Sequence, residues 1–266
     1  MEIKNKNNLS SKGFCKLDSF INESWINKIK IALPNQFRLH QDIREKNNNA
    51  IVSEGVAMNL LVSEPLCLEF LQFLIDENLI QTLEEHYFKT PCILNSFSAL
   101  NVLSTEPTVF HKKIHRDIRG YSGSMPLLLN LLVMIDDFTE TNGATLLLPY
   151  SHLIEKAPTE NYFKNNAIKV TGKAGDIIIW NSNVYHASGL NTTNNSRTGL
   201  PITLSLPYYK QLLDYPKALN VHTNILSDEL KALLGFDAQV PDSLYNWYQS
   251  DDNLLYKNKV DKKLSK

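Results

Sequence analysis

From Cys92 to Tyr208 the chain is a succession of short apolar runs cut by turn residues, and this rhythm restricts its fold more than any other feature. The runs include Leu127–Ile135, Thr145–Leu148, Ile177–Trp180 and Pro201–Leu206, with breaks at Thr141-Asn142-Gly143, at Gly172 to Gly175 and at Asn191 to Ser196. No helix of length fits between them. Many short strands joined by tight turns predict a sandwich, a barrel or a double-sheet jelly roll over residues 92–208.

Helical patterns flank this region. Trp25, Ile29 and Leu33 recur at helical spacing after Asn22, and Pro34 reads as the stop. Residues 36–56 are polar and irregular, a loop or lid. A second helix is expected to start near Ser63, with Glu64 and Pro65 in its first turn and Leu66, Phe70, Phe73 and Leu74 on its apolar face, running to about Leu83. Residues 1–12 are Asn- and Lys-rich and read as a loose arm. Residues 209–266 form a C-terminal helical region in which Ser227 is an N-cap, Asp228 and Glu229 lie in the first turn, Gly235 falls past the end, and the charged tail frays. With no repeat and no linker, residues 1–266 are expected to be a single domain, mainly β with flanking α.

Composition excludes several functions. The 27 basic and 28 acidic residues leave a net charge of -1, with no basic stripe for nucleic acid or an anionic membrane. Cys15, Cys67 and Cys92 are scattered and odd in number, which argues against a disulfide framework or a cysteine zinc site and for a reduced, cytoplasmic setting. The N-terminus lacks the apolar core of a secretory signal, and no apolar run is long enough to span a bilayer.

The chemistry gathers around His115-Arg116-Asp117. On a strand, residues two apart share a face, so His115 and Asp117 face a barrel interior while Arg116 points out. An imidazole and a carboxylate are two corners of a facial triad, whose open positions suit non-haem iron(II). Alone, His-x-Asp is a weak signal in a chain with seven histidines. Downstream, Ala174-Gly175-Asp176 turns into the strand ending at Trp180, and a further turn returns the chain with His186 exposed on the next strand. Arg197 follows His186 by 11 positions (197 − 186). An arginine one strand from a metal can hold a dicarboxylate in a bidentate pair, and Ser188 shares the face of His186.

These stretches, with Asp136-Asp137-Phe138-Thr139-Glu140-Thr141-Asn142-Gly143-Ala144 running on to Leu148-Pro149-Tyr150-Ser151-His152, resemble the phytanoyl-CoA dioxygenase family over roughly Phe14 to Tyr208. The resemblance implies a double-stranded β-helix, iron(II) held by His115, Asp117 and His186, and 2-oxoglutarate and O2 as co-substrates. It also implies Arg197, helped by Ser188, as the partner of the distal carboxylate of 2-oxoglutarate. Asn101 is the candidate for the keto-acid end. Where the family usually has Pro-Gly-Ser-His, this chain has Tyr150 in place of the glycine, which reshapes the pocket rim. No tryptophan or glutamine is expected close to the triad where some members place one.

Other residues have plainer readings. His152 is expected to be structural, His111 packed or solvated, and His40, His86 and His222 ordinary. Asp136 and Asp137 fit local hydrogen bonding at a turn, and Trp180 fits the core. Lys113 and Arg119 share the parity of the ligands, Lys112 and Arg116 the opposite one. Lys113 or Arg119 either contacts an anionic group on the substrate or lies in a solvated rim. The expected activity is hydroxylation of a small-molecule metabolite with release of succinate and CO2, an acyl-CoA substrate remaining open. Halogenation is disfavoured because Asp117 keeps the third protein ligand. The alternatives are a cupin-like non-redox metalloenzyme, which needs no dicarboxylate anchor, and a non-catalytic binding protein on the same fold.

Overall fold

The computed structural model describes residues 3–49, 55–103, 113–219 and 226–248. Its strands are β1 (Phe14–Leu17), β2 (Val56–Ala57), β3 (Ile93–Phe97), β4 (Ala99–Val102), β5 (Leu128–Met134), β6 (Thr145–Leu147), β7 (Ile168–Lys169), β8 (Ile177–Asn181), β9 (His186–Ser188) and β10 (Arg197–Ser205). The larger sheet runs β1-β8-β5-β10-β4-β2, with β3 also paired to β10, and the smaller runs β7-β6-β9. All these pairings are antiparallel. The protein is mainly β with flanking α, built on a double-stranded β-helix.

Strand alternation sorts the larger sheet into two faces. Leu129, Leu131, Val133, Ile177, Ile179, Leu200, Ile202 and Leu204 meet Ile29, Leu33, Phe70, Leu71 and Leu74 of the helices in one core. The opposite residues, Leu132, Met134, Ile178 and Trp180, pack with Phe138, Ala144 and Leu147 between the sheets. Each buried aliphatic side chain contributes roughly 1.5–3 kcal/mol.

The helices depart from the sequence expectations. In place of the expected loose arm, Ile3–Lys12 form α1. Its Leu9 side chain is buried. The Ser10 and Lys12 carbonyls accept from His152 Nε2 (3.2 Å) and Tyr150 N (2.9 Å). Docking holds this helix rather than an apolar stripe of its own.

Helix α2 (Glu23–Lys46) begins at the expected cap, with the Asn22 side chain accepting from Trp25 N, but passes through Pro34 and occupies much of the expected loop. A proline inside a helix forfeits one hydrogen bond. The far half is held by polar contacts that leave no hydrophobic periodicity. Gln36 Nε2 donates to Glu64 Oε2 (3.0 Å), His40 Nε2 pairs with Ser63 Oγ (3.1 Å), and Arg44 Nη1 donates to Val56 O (2.6 Å).

The second helix is split into α3 (Leu66–Asp76) and α4 (Leu79–Leu83) by Asn78 in the left-handed region at φ 57°. A seven-residue helix, α5 (Glu160–Asn166), lies among the strands, capped by Thr159. After α6 (Tyr215–Leu219), α7 (Asp228–Leu234) starts at Ser227, whose side chain accepts from Leu230 N, and stops at Gly235, as expected. The last described helix is α8 (Leu244–Trp247). The charged tail lies outside the described residues. No helix among the described residues is long and apolar enough to cross a membrane.

The turn into β8 fastens the N-terminal segment to the sheet. Gly175 has φ 97° and would direct a Cβ into the Ile21 carbonyl oxygen. Beside it, the buried Asp176 carboxylate accepts from Lys16 Nζ (2.8 Å), Ser19 N (2.8 Å) and Lys173 N (3.0 Å). Burial alone would raise its pKa, but Lys16 and the two backbone donors bring it below the ordinary value.

Gly175→Ala is expected to destabilise the protein by about 2 kcal/mol or more, measured by urea unfolding. Asp176→Asn should cost roughly 1.5–3 kcal/mol at pH 7. Because the folded pKa is depressed, this stabilisation is present above the unfolded value near 4 and disappears as pH falls through the folded one. The gap between wild type and variant should therefore narrow on acidification. A gap of equal size at pH 7 and at pH 3 would contradict the assignment.

Candidate metal centre

Two of the three expected ligands face each other across one isolated antiparallel bridge. His115 N donates to His186 O (3.0 Å) and His186 N to His115 O (2.8 Å), which brings the two ring centroids to 4.2 Å. No regular strand surrounds His115, and residues 117–120 form bends. The bend, rather than strand alternation, returns Asp117 to the same point. Its Oδ1 lies 3.5 Å from His115 Nε2 and its Oδ2 3.4 Å from His186 Nε2. One donor atom from each of the three residues falls within 4.8 Å of the others. His186 is buried rather than exposed.

The donors are already prepared for an ion. His115 Nδ1 lies 2.8 Å from Lys113 O, and His186 Nδ1 lies 3.0 Å from Val184 O. A carbonyl only accepts, so each Nδ1 carries a proton and each Nε2 is the nitrogen directed at the centre. Burial keeps His186 neutral by lowering its pKa, with Asp117 opposing. Burial also opposes charge on His115, but hydrogen bonding to Asp117 outweighs it and the pKa is raised. Burial would raise Asp117 as well, yet the two imidazoles hold it below the ordinary carboxylate value.

Asp117 has further partners that sequence reasoning missed. Asn130 Nδ2 on β5 donates to Asp117 Oδ2 (2.7 Å). The buried indole N–H of Trp180 has no full hydrogen-bond partner and lies close enough to stabilise the same carboxylate. The Trp180 ring stands edge-on to His186 at 5.2 Å, so it borders the triad as well as the core. Asn130 did leave a signal: it is the single polar residue in the run Leu127–Ile135.

Arg197 opens β10 and has no exposed surface. One Nη donates to Gly143 O, and the guanidinium lies 3.9 Å over the ring of Phe138. Its Nε and other Nη are buried without a hydrogen-bond partner. Burial pulls its pKa down to about 9, with Asp136 opposing. A buried cation with two idle donors is the environment a carboxylate ligand would complete.

Ser188 shares the face of His186 on β9 and is half-buried. Asn101 does not join the site. It is the cross-strand partner of Thr198, one residue from Arg197, so its side chain stands on the opposite face of the sheet, where Thr198 Oγ1 donates to it (3.4 Å).

Arg116 points away from the triad, donating to Ile154 O (2.7 Å) and stacking 4.2 Å over Tyr185. Lys113 and Arg119 are exposed, and the bends at 117–120 leave no strand to carry parity to Arg119. His152 is buried and structural. Asp136 accepts from Thr198 N and pairs with Lys30, while Asp137 accepts from Lys173 and Ala174 N, so both carboxylates bond to partners distant in sequence rather than locally at their turn as expected. Tyr150 sits at φ 65°, which accounts for glycine being usual there. His111, Lys112 and His222 lie outside the described residues.

The two sheets and the His-Asp-His cluster between them define a double-stranded β-helix protein with a candidate facial triad. The family model for phytanoyl-CoA dioxygenase matches residues 9–199, and this chain belongs to the phytanoyl-CoA dioxygenase family. An uncharacterized protein of Mycobacterium tuberculosis is 30% identical over 210 residues, 76% of this chain and 75% of that protein. Dioxygenase trt7 of Aspergillus terreus is 28% identical over 173 residues, 61% of this chain and 58% of its own length. In fold, the chain is similar to iron-bound EctD from S. alaskensis, with TM-score 0.64, 16% identity, and 79% and 80% of the two chains covered. It is also similar to AviO1 from Streptomyces viridochromogenes, with TM-score 0.58, 18% identity, and 77% and 95% covered.

Proposed function

We propose that this member of a dioxygenase family is an iron(II)- and 2-oxoglutarate-dependent dioxygenase that hydroxylates a small-molecule metabolite. One observation carries the reading: three prepared metal donors coexist with a buried arginine that has two unpartnered nitrogens. A neighbour of the same fold, EctD, has been crystallised with 2-oxoglutarate and 5-hydroxyectoine. With iron(II), 2-oxoglutarate and O2 bound, the co-substrate would be decarboxylated to succinate and CO2 while one oxygen atom is delivered to the substrate.

The chain's own part is binding and orientation. His115, Asp117 and His186 supply three donors on one side of the ion, leaving the other side for co-substrate and O2. Arg197 holds the distal carboxylate through its free Nε–H and Nη–H, with Ser188 as a further donor on the same face, and Phe138 keeps water from the guanidinium. A cupin-like non-redox enzyme or a binding protein would have no use for the idle donors of Arg197.

His115→Ala should abolish iron-dependent succinate formation and lower iron affinity. Wild-type turnover with stoichiometric iron in that variant would rule out the triad. Arg197→Met should raise the 2-oxoglutarate concentration needed for turnover about 30-fold or more, corresponding to the roughly 2–5 kcal/mol of a lost charge-assisted contact. The ligand-free Arg197→Met protein should be as stable as wild type or more so, since it no longer buries an uncompensated cation. The discriminating measurement is the shift in Tm on adding 2-oxoglutarate, large in wild type and absent in the variant. Equal shifts in both would point to the non-redox alternative.

A further inference from the structure

Asn130 occupies the middle of one rung of the larger sheet. Across β8 its direct neighbour is Trp180, and across β10 it is Thr203. The rung faces the space between the sheets, so its side chains meet the metal cluster rather than the helices. Asn130 itself is buried.

The orientation of its amide follows from its partners. Asp117 is ionised and only accepts, so the group turned to it must be the NH2. That NH2 donates one hydrogen to Asp117 Oδ2 (2.7 Å) and the other to Ser182 Oγ (3.1 Å). The amide oxygen then faces β10, where Thr203 Oγ1 donates to it (3.0 Å). Three partners thus lock one amide, and that amide grips one oxygen of the carboxylate. An oxygen already committed to a short hydrogen bond is the weaker donor to a cation, which leaves Asp117 Oδ1 as the better ligand.

We infer that Asn130 is a positioning residue that, with Thr203 behind it, keeps Asp117 bound to the metal through a single oxygen. A carboxylate free to chelate through both oxygens would occupy a coordination position that the co-substrates need. The inference rests on the proposed iron-binding function and deepens it. Asn130 and Thr203 are the elements on which it depends: Asn130 turns its NH2 to Asp117, and Thr203 Oγ1 is engaged with the Asn130 oxygen.

Co(II) serves as the probe in titrations of Asn130→Leu, Thr203→Val, His186→Ala and wild type, with the visible absorption of bound Co(II) recorded. Asn130→Leu preserves volume and removes the donor, so it should weaken Co(II) binding by about 10- to 100-fold and change the visible spectrum as Asp117 turns. Thr203→Val, which leaves the amide in place but unlocks it, should weaken binding by a smaller factor and shift the spectrum in the same direction. Wild-type affinity and spectrum in a folded Asn130→Leu would overturn the inference. If that variant does not fold, wild-type affinity and spectrum in Thr203→Val would do so. His186→Ala separates this from the parent proposal. Failure of wild type to bind Co(II) or iron any better than His186→Ala overturns the metal centre itself, whereas tight binding in wild type with indifferent Asn130 and Thr203 variants overturns this inference alone.

Discussion

Everything in this molecule is hung on β10 and the strict alternation of its side chains. This nine-residue strand is hydrogen-bonded to β5 along one edge and to β3 and β4 along the other. Leu200, Ile202 and Leu204 go to the helical core, while Arg197 and Thr203 go to the space between the sheets. A slip of one residue would exchange the two sets, burying a guanidinium and a hydroxyl among leucines. The same register that builds the core therefore also places the buried guanidinium of Arg197 and the backing of the Asp117 network between the sheets.

The β core was legible because its signal is local. Short apolar runs between Asn-Gly and Gly-rich breaks are the physical requirement of strands joined by tight turns, and β5, β6 and β8 fall within a residue of the runs that announced them. The helices were harder to read because their stability is not local. Pro34 reads as a stop since it lacks an N–H, yet the helix passes through it, and Gln36, His40 and Arg44 find partners on residues that only the fold brings near. α1 has one buried leucine and no stripe, so nothing in its sequence separates it from a loose arm. Asn78 breaks the second helix because it tolerates a left-handed backbone, a tolerance that does not itself announce a break.

At the site, the residue types carried the argument and the geometry corrected its route. His115 and Asp117 come together by a bend after a single bridge, not by facing the same way along a strand. Asn101 failed on parity: one position of register relative to Arg197 decided which side of the sheet it joined. Trp180 was assigned to the core on hydrophobicity, and it does pack there, but its edge also meets His186. The role of Asn130 depends on contacts with Asp117, Ser182 and Thr203, distant in sequence, so only its isolation among leucines hinted that it had one.

The pairing of His115 with His186 has a consequence for how the protein comes into being. The two imidazoles are 71 positions apart (186 − 115) and meet through a two-hydrogen-bond bridge between different parts of the barrel. In an unfolded chain, an ion cannot gather them without closing a loop of that length, with nothing gained until both sheets exist. Small zinc modules, whose ligands are neighbours in sequence, use the ion to fold. Here the cluster exists only where the long-range contacts of the barrel have been made. An ion held by this cluster would thus enter a site that the barrel builds, and its removal should leave the protein around it folded.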